Sequence, residues 1–236
     1  MQLSKLENKI YEGLKKNKIP VFKSKDLCIL FNIDKIKAYN LIKSLKRKDI
    51  IKNVGKGFLA FKDVNEFIIG QNLNYPCYLS FLSALNYYAY TDQLPKKIYY
   101  VTTKYSKEIN NFKYITFAKN KFFGYIKFGD LIIAEKEKVF IDSLLYPKYS
   151  GGIKEIIKCF NVSIKELDKK KLIDYAYKTK NKALLRRLGF ILEMLKFNEN
   201  ILKKLRKNTG NGYELLDPDL KKKNNFNKKW MLDINC

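Results

Sequence analysis

The segment from Lys23 to Phe61 places the tightest constraint on the fold. Ser24 is positioned to cap a short helix through Leu30. Asn32-Ile33-Asp34 then supplies a turn and a new cap, because a short Asx side chain accepts from the first free N–H groups of a helix. Beyond Asp34, Ala38, Leu41, Ile42 and Leu45 recur at three- and four-residue spacing and define an inward face. Lys35, Lys37, Tyr39, Asn40, Lys43, Lys46 and Arg47 fall on the other face. Ile50–Val54 and Phe58–Phe61 read as two short strands joined by the tight hairpin Gly55-Lys56-Gly57. With a preceding helix over Leu3–Lys16, this order is that of a winged helix-turn-helix, an architecture that puts one helix into the major groove of duplex DNA and a loop on its backbone.

The charge balance points to the same class of partner. The chain of 236 residues carries 48 Lys and Arg against 23 Asp and Glu, a net +25. Up to Lys62 there are 16 basic and five acidic residues, and beyond it 32 and 18. An AT-rich genome also enriches lysine, but it does not produce a two-to-one excess over acid, so a polyanion partner is expected. Hydrophobic residues make up 46%, which excludes a disordered basic tail. No apolar run approaches the roughly 20 residues of a membrane span, and no membrane partner is expected. The N-terminus lacks a signal-peptide core, which argues against export. Cys28, Cys77, Cys159 and Cys236 show no paired spacing and read as reduced thiols of a cytoplasmic protein. There is no histidine, which removes the commonest zinc ligand and general base. No catalytic residue, metal ligand or cofactor is assigned.

The boundary is expected at Lys62, with residues 1–62 forming the helix-turn-helix unit and 63–236 a mixed α/β (α+β) unit. The latter has a small sheet and a helical C-terminal half. Tyr78, Phe81, Leu82 and Leu85 fit one buried helix face. Strands are predicted over Ile98–Thr103, Tyr114–Phe117, Phe122–Phe128 and Leu131–Ala134. Helices are predicted over Glu135–Leu145, Ile153–Phe160, Ser163–Lys169, Lys171–Tyr177, Lys182–Leu195 and Glu199–Lys207. Trp230-Met231-Leu232 reads as an edge strand.

Several of these stretches resemble the AbiEi antitoxin family. They are Tyr78–Leu85, Gln93-Leu94-Pro95 with Ile98–Thr103, and Ile133–Lys138 with Asp142 and Leu144-Leu145. Arg187–Glu193, Leu216-Asp217-Pro218 and Lys229-Trp230 complete the set. Their order and spacing carry the similarity over nearly the whole chain; Tyr87 and Tyr88 stand where a histidine is often found. The resemblance implies a type IV toxin–antitoxin or abortive-infection protein. Such a protein represses its own promoter through the N-terminal unit and antagonises a nucleotidyltransferase-like toxin through the C-terminal one, with no tight complex required.

Lys35, Lys37, Tyr39 and Asn40 near the helix start are the expected base readers, with Asn suited to adenine and Lys to guanine acceptors. Lys43, Lys46 and Arg47 lie further along and suit phosphates, as does Lys56 at the hairpin tip. Ile36 has two open readings, thymine contact or packing. In the second unit Lys96, Lys97, Lys104, Arg186 and Arg187, with Lys119 and Lys121, form a candidate basic surface. One of the two arginines alternatively pairs with Glu193 or Asp142. Asp130, Glu135 and Glu137 loosely suggest a nuclease, but a helix cap at Glu135 and an ion pair at Asp142 account for them better. The competing non-enzymatic reading is a stand-alone regulator whose C-terminal unit oligomerises or senses a ligand.

Overall fold

Ser4 opens the fold: its hydroxyl accepts from the Glu7 amide while the Glu7 carboxylate accepts from the Ser4 amide, a reciprocal cap that starts α1 (Lys5–Lys16). The computed structural model describes residues 2–236. After β1 (Val21–Phe22) comes α2 (Ser24–Phe31). Ser24 is the first residue of that helix rather than its cap. The Asp26 carboxylate instead accepts from the Lys23 amide at 2.7 Å. Asn32 takes a left-handed backbone (φ 51°), which Asn tolerates better than most residues. Asp34 then caps α3 (Lys35–Arg47), accepting from the Lys37 amide at 2.7 Å.

The hairpin follows as β2 (Ile51–Gly55) and β3 (Phe58–Phe61), and β1 joins it in an antiparallel sheet of order β1-β3-β2. Gly55, Lys56 and Gly57 all have positive φ (98°, 51° and 74°), so glycine flanks the tip where the backbone requires it. Ile10, Leu14, Phe22, Leu27, Ala38, Leu41, Leu45, Ile51, Leu59 and Phe61 form one buried cluster. Glu7 ties α1 to α3 beside it. The carboxylate accepts from Ser44 Oγ at 2.7 Å and Lys48 Nζ at 2.6 Å, and these donors hold its pKa down to about 2.

A larger cluster draws on Val54 and Ala60 of the hairpin sheet and on apolar residues from Ile69 to Leu232. It surrounds a six-stranded mixed sheet. Its members are β4 (Cys77–Leu79), β5 (Ile98–Thr102), β6 (Lys107–Ile109), β7 (Phe112–Thr116), β8 (Tyr125–Phe128) and β9 (Leu131–Ala134), in the order β6-β7-β5-β4-β9-β8. β4 pairs parallel with β9 and β5 with β7, and the other neighbours are antiparallel. Helix α4 (Glu66–Leu73) precedes the sheet, and α5 (Phe81–Tyr87) follows β4. Beyond the sheet lie α6 (Lys136–Leu145), α7 (Gly152–Ser163), α8 (Lys169–Lys178), α9 (Lys182–Met194) and α10 (Glu199–Lys207). A last small sheet, β10-β12-β11, joins Glu214–Leu215, Leu232–Asp233 and Phe226–Asn227.

The fold is thus α/β, with a mixed sheet and a helical stretch after it. The structure departs from the sequence expectations at five places. Tyr78 and Leu79 lie in a strand, and the helix starts only at Phe81. A strand at Lys107–Ile109 was not expected, and β8 begins at Tyr125 rather than Phe122. The chain turns between Ile164 and Asp168 instead of forming a helix there. Trp230 is a core residue, not part of an edge strand: its ring lies where a side chain on Gly189 would stand, and β12 is central in its sheet.

A buried ion pair fastens the helices to the sheet. Lys138 and Asp142, one turn apart on α6, are both inaccessible to solvent and bond to each other. Asp142 Oδ2 also accepts from Ser80 Oγ at 2.8 Å and Tyr78 OH at 3.1 Å. Burial pushes the Lys138 ammonium down and the Asp142 carboxyl up in pKa, and their mutual attraction opposes both shifts. Among the described residues no helix is long and apolar enough to cross a membrane.

Candidate nucleic-acid interface

On α3 the burial of Ala38, Leu41 and Leu45 fixes which side faces out. Lys35, Ile36, Lys37, Tyr39, Asn40, Lys43, Lys46 and Arg47 are all exposed. Lys37 lies 3.5 Å from Asp34. Among the described residues Lys35, Lys43, Lys46 and Arg47 form no ion pair. Elsewhere up to Lys62 the lysines divide: Lys5, Lys9, Lys16, Lys18, Lys23, Lys25 and Lys56 are likewise without an ion pair among the described residues, and four others are paired. Lys15 pairs with Asp63, Lys48 with Glu7, Lys52 with Glu66 and Lys62 with Asp49. The outer face of α3 thus gathers four exposed cations without an acidic partner on one helix. Such a face carries field into solvent and attracts polyanions.

Ile36 is the residue that sequence reasoning left unresolved. It is 74% exposed and Tyr39 65%, so neither packs into the core. Counting 100° per residue from the buried positions would have put Ile36 on the outside.

Lys56 is exposed at the hairpin tip, and the tip rests on the larger sheet. A Cβ built at Gly55 would stand 3.1 Å from the side chains of Ile109 and Asn110. The Lys107 ammonium is pushed down in pKa by burial first, then by the charges of Lys56 and Lys104. Lys104 thus belongs with the hairpin lysine, and Lys107, absent from the expected set, joins them. Its strand is three residues long and carries no alternating pattern that would reveal it.

The rest of the expected C-terminal basic surface divides. Lys97 pairs with Glu108, which also accepts from Lys113 Nζ at 2.7 Å; the two lysines hold the Glu108 carboxyl down to about 2. Lys96 is exposed beside them. Arg186 and Arg187 are not surface residues at all, being 2% and 5% exposed. Arg186 donates to the backbone carbonyls of Thr209 (2.9 Å), Asn211 (3.0 Å) and Gly212 (2.5 Å). Arg187 donates to those of Leu144 (3.1 Å), Leu215 (3.1 Å) and Leu216 (2.9 Å). Neither pairs with Glu193 or Asp142. Glu193 accepts from Lys229 and Trp230, and Asp142 from Lys138. The physical reason is that an irregular tail presents carbonyls that need donors once buried.

Of the three acidic residues, Asp130 is exposed and the two glutamates are spoken for. Glu135 stands at the start of α6 but makes no cap bond; its carboxylate accepts from Tyr175 OH and from Lys171 Nζ at 2.9 Å. Glu137 accepts from the Asp168 amide at 2.9 Å. Among the described residues no three His, Cys, Asp or Glu side chains converge as a metal site requires. A cleft of about 530 Å³ between α1, α4 and the β8–β9 hairpin is lined in part by Lys15 and Asp63, which bond to each other at 2.5 Å.

No protein-family model matches the sequence, and no curated protein does. Among solved structures the chain is similar to the RV2827C protein from Mycobacterium tuberculosis. The TM-score is 0.67, with 11% sequence identity, covering 98% of this chain and 92% of that one. At this identity the likeness is one of fold.

Proposed function

We propose that this chain is a DNA-binding repressor of its own promoter. In this reading α3 enters the major groove as the recognition helix of a winged helix-turn-helix, and Lys56 rests on the flanking backbone. The observation that carries it is the outer face of α3, where Lys35, Lys43, Lys46 and Arg47 are exposed and without acidic partners. Each cation that neutralises a phosphate releases condensed counterions, so the face supplies affinity that falls with salt. Lys35, Lys37, Tyr39 and Asn40 near the helix start select sequence, and the later cations fix register.

The second half of the proposal is that the larger C-terminal unit acts as an antitoxin against a nucleotidyltransferase-like toxin, with no direct contact required. It rests on the sequence resemblance to AbiEi antitoxins set out above. The test is binding of the purified full chain to its own upstream duplex and to a scrambled one, followed by co-expression with any nucleotidyltransferase encoded beside it. Preferential binding to the upstream duplex and restored growth are expected. Equal binding to both duplexes would contradict the repressor reading, and unrestored growth the antitoxin reading.

A further inference from the structure

The outer face of α3 is not uniform along its length. At 100° per residue, Ile36, Asn40, Lys43 and Arg47 fall within a sector of roughly 60° opposite Ala38, Leu41 and Leu45. The end of this stripe nearest the helix start is uncharged, Ile36 then Asn40, and the far end is cationic, Lys43 then Arg47. Ile36 lies near the centre of the exposed sector; its neighbours on the helix surface are Tyr39 and Asn40, and Lys35 and Lys37 stand about 100° to either side. An apolar side chain on a face that also carries Lys35, Lys37, Lys43, Lys46 and Arg47 suits an apolar group set within a polyanion better than an apolar protein surface. In the major groove of duplex DNA the thymine C5-methyl is such a group. Asn40 is four residues on, with Cβ atoms about 5–6 Å apart at that spacing, a reach of one to two base pairs.

We propose that Ile36 reads a thymine methyl while Asn40 pairs with N6 and N7 of an adenine in the same or the adjacent base pair. The preferred duplex then contains a T·A-rich step under the first turn of α3. This rests on the DNA-binding reading above and adds what the helix selects. Lys43 and Arg47 hold the backbone alongside and do not discriminate bases.

The experiment begins with selection of binding sites by the full chain from a random duplex library. Each thymine of the selected site is then replaced in turn by uracil, which removes only the methyl group. One position is expected at which uracil weakens wild-type binding about fourfold, the equivalent of about 0.8 kcal/mol for one buried carbon. Ile36→Ala is expected to bind thymine and uracil duplexes alike at that position. Asn40→Ala is expected to lose the adenine preference and keep the uracil penalty. Both side chains are exposed, so thermal unfolding of both variants should match wild type and separates loss of readout from loss of fold. If wild type tolerates uracil everywhere, or if Ile36→Ala keeps the penalty, the inference is overturned while the DNA-binding reading stands. If no duplex is enriched at all, the DNA-binding reading fails and the inference falls with it.

Discussion

Helices α3 and α9 are each 13 residues long, and each contains two adjacent cations, Lys46-Arg47 and Arg186-Arg187. On α3 the pair is exposed and has no acidic partner. On α9 the pair is buried and spends its N–H groups on backbone carbonyls of the C-terminal tail and of Leu144. Charge in a sequence is therefore not charge on a surface. What separates the two is the helix around them. α3 has one apolar stripe and an outward side, whereas α9 is lined by Leu184, Leu185, Leu188, Ile191 and Leu192 and leaves its arginines no solvated face.

The largest effect should come from unpairing a buried charge. Asp142→Ala strands Lys138 with no acidic partner and should cost about 3–5 kcal/mol in urea unfolding. The double replacement Lys138→Met with Asp142→Leu should recover most of that loss, because the cost lies in the unpaired ion. Next, Arg187→Ala leaves the carbonyls of Leu144, Leu215 and Leu216 without donors and should lose about 3 kcal/mol or more. If thermal unfolding showed Arg187→Ala as stable as wild type, the contrast between the two helices would collapse.

Glu7→Gln should cost about 2 kcal/mol, since Lys48 and Ser44 lose a charged acceptor. Its pH dependence is a sharper probe. With a folded pKa of about 2 against 4.5, the unfolded chain binds the extra proton between these values. The stability Glu7 contributes is therefore complete above pH 4.5 and is lost as pH falls towards 2. Urea midpoints measured between pH 5 and pH 3 should fall less in Glu7→Gln than in wild type. The smallest stability effect belongs to Lys43→Ala with Arg47→Ala, within about 0.5 kcal/mol of wild type because both side chains are exposed.

The same contrast explains what could be read from sequence. α3 was legible because Ala38, Leu41 and Leu45 set a helical period, Asp34 supplied a cap, and Gly55 and Gly57 marked the hairpin. Tyr78–Leu85 was misread because every residue in it is buried, and a fully buried run satisfies helix and strand periods alike. The fate of Arg186 and Arg187 depended on carbonyls all more than 20 residues away along the chain, which no local pattern discloses. That one arginine was buried was foreseeable from the leucines around it; that both were, and what they bond, was not. Lys107 stayed hidden for a related reason, since only the hairpin resting on Asn110 brings it to Lys56.

The most direct test of the account is the salt dependence of binding to the selected duplex. The slope of log K against log salt is compared for wild type, Lys43→Ala with Arg47→Ala, and Lys97→Ala. If the unpaired face of α3 meets phosphates, the double variant should lower the slope by about 2, one per lost contact. Lys97→Ala should leave it unchanged, because Lys97 is already paired with Glu108. Equal slopes for wild type and the α3 variant would contradict the central claim and move the DNA, if bound, to another face.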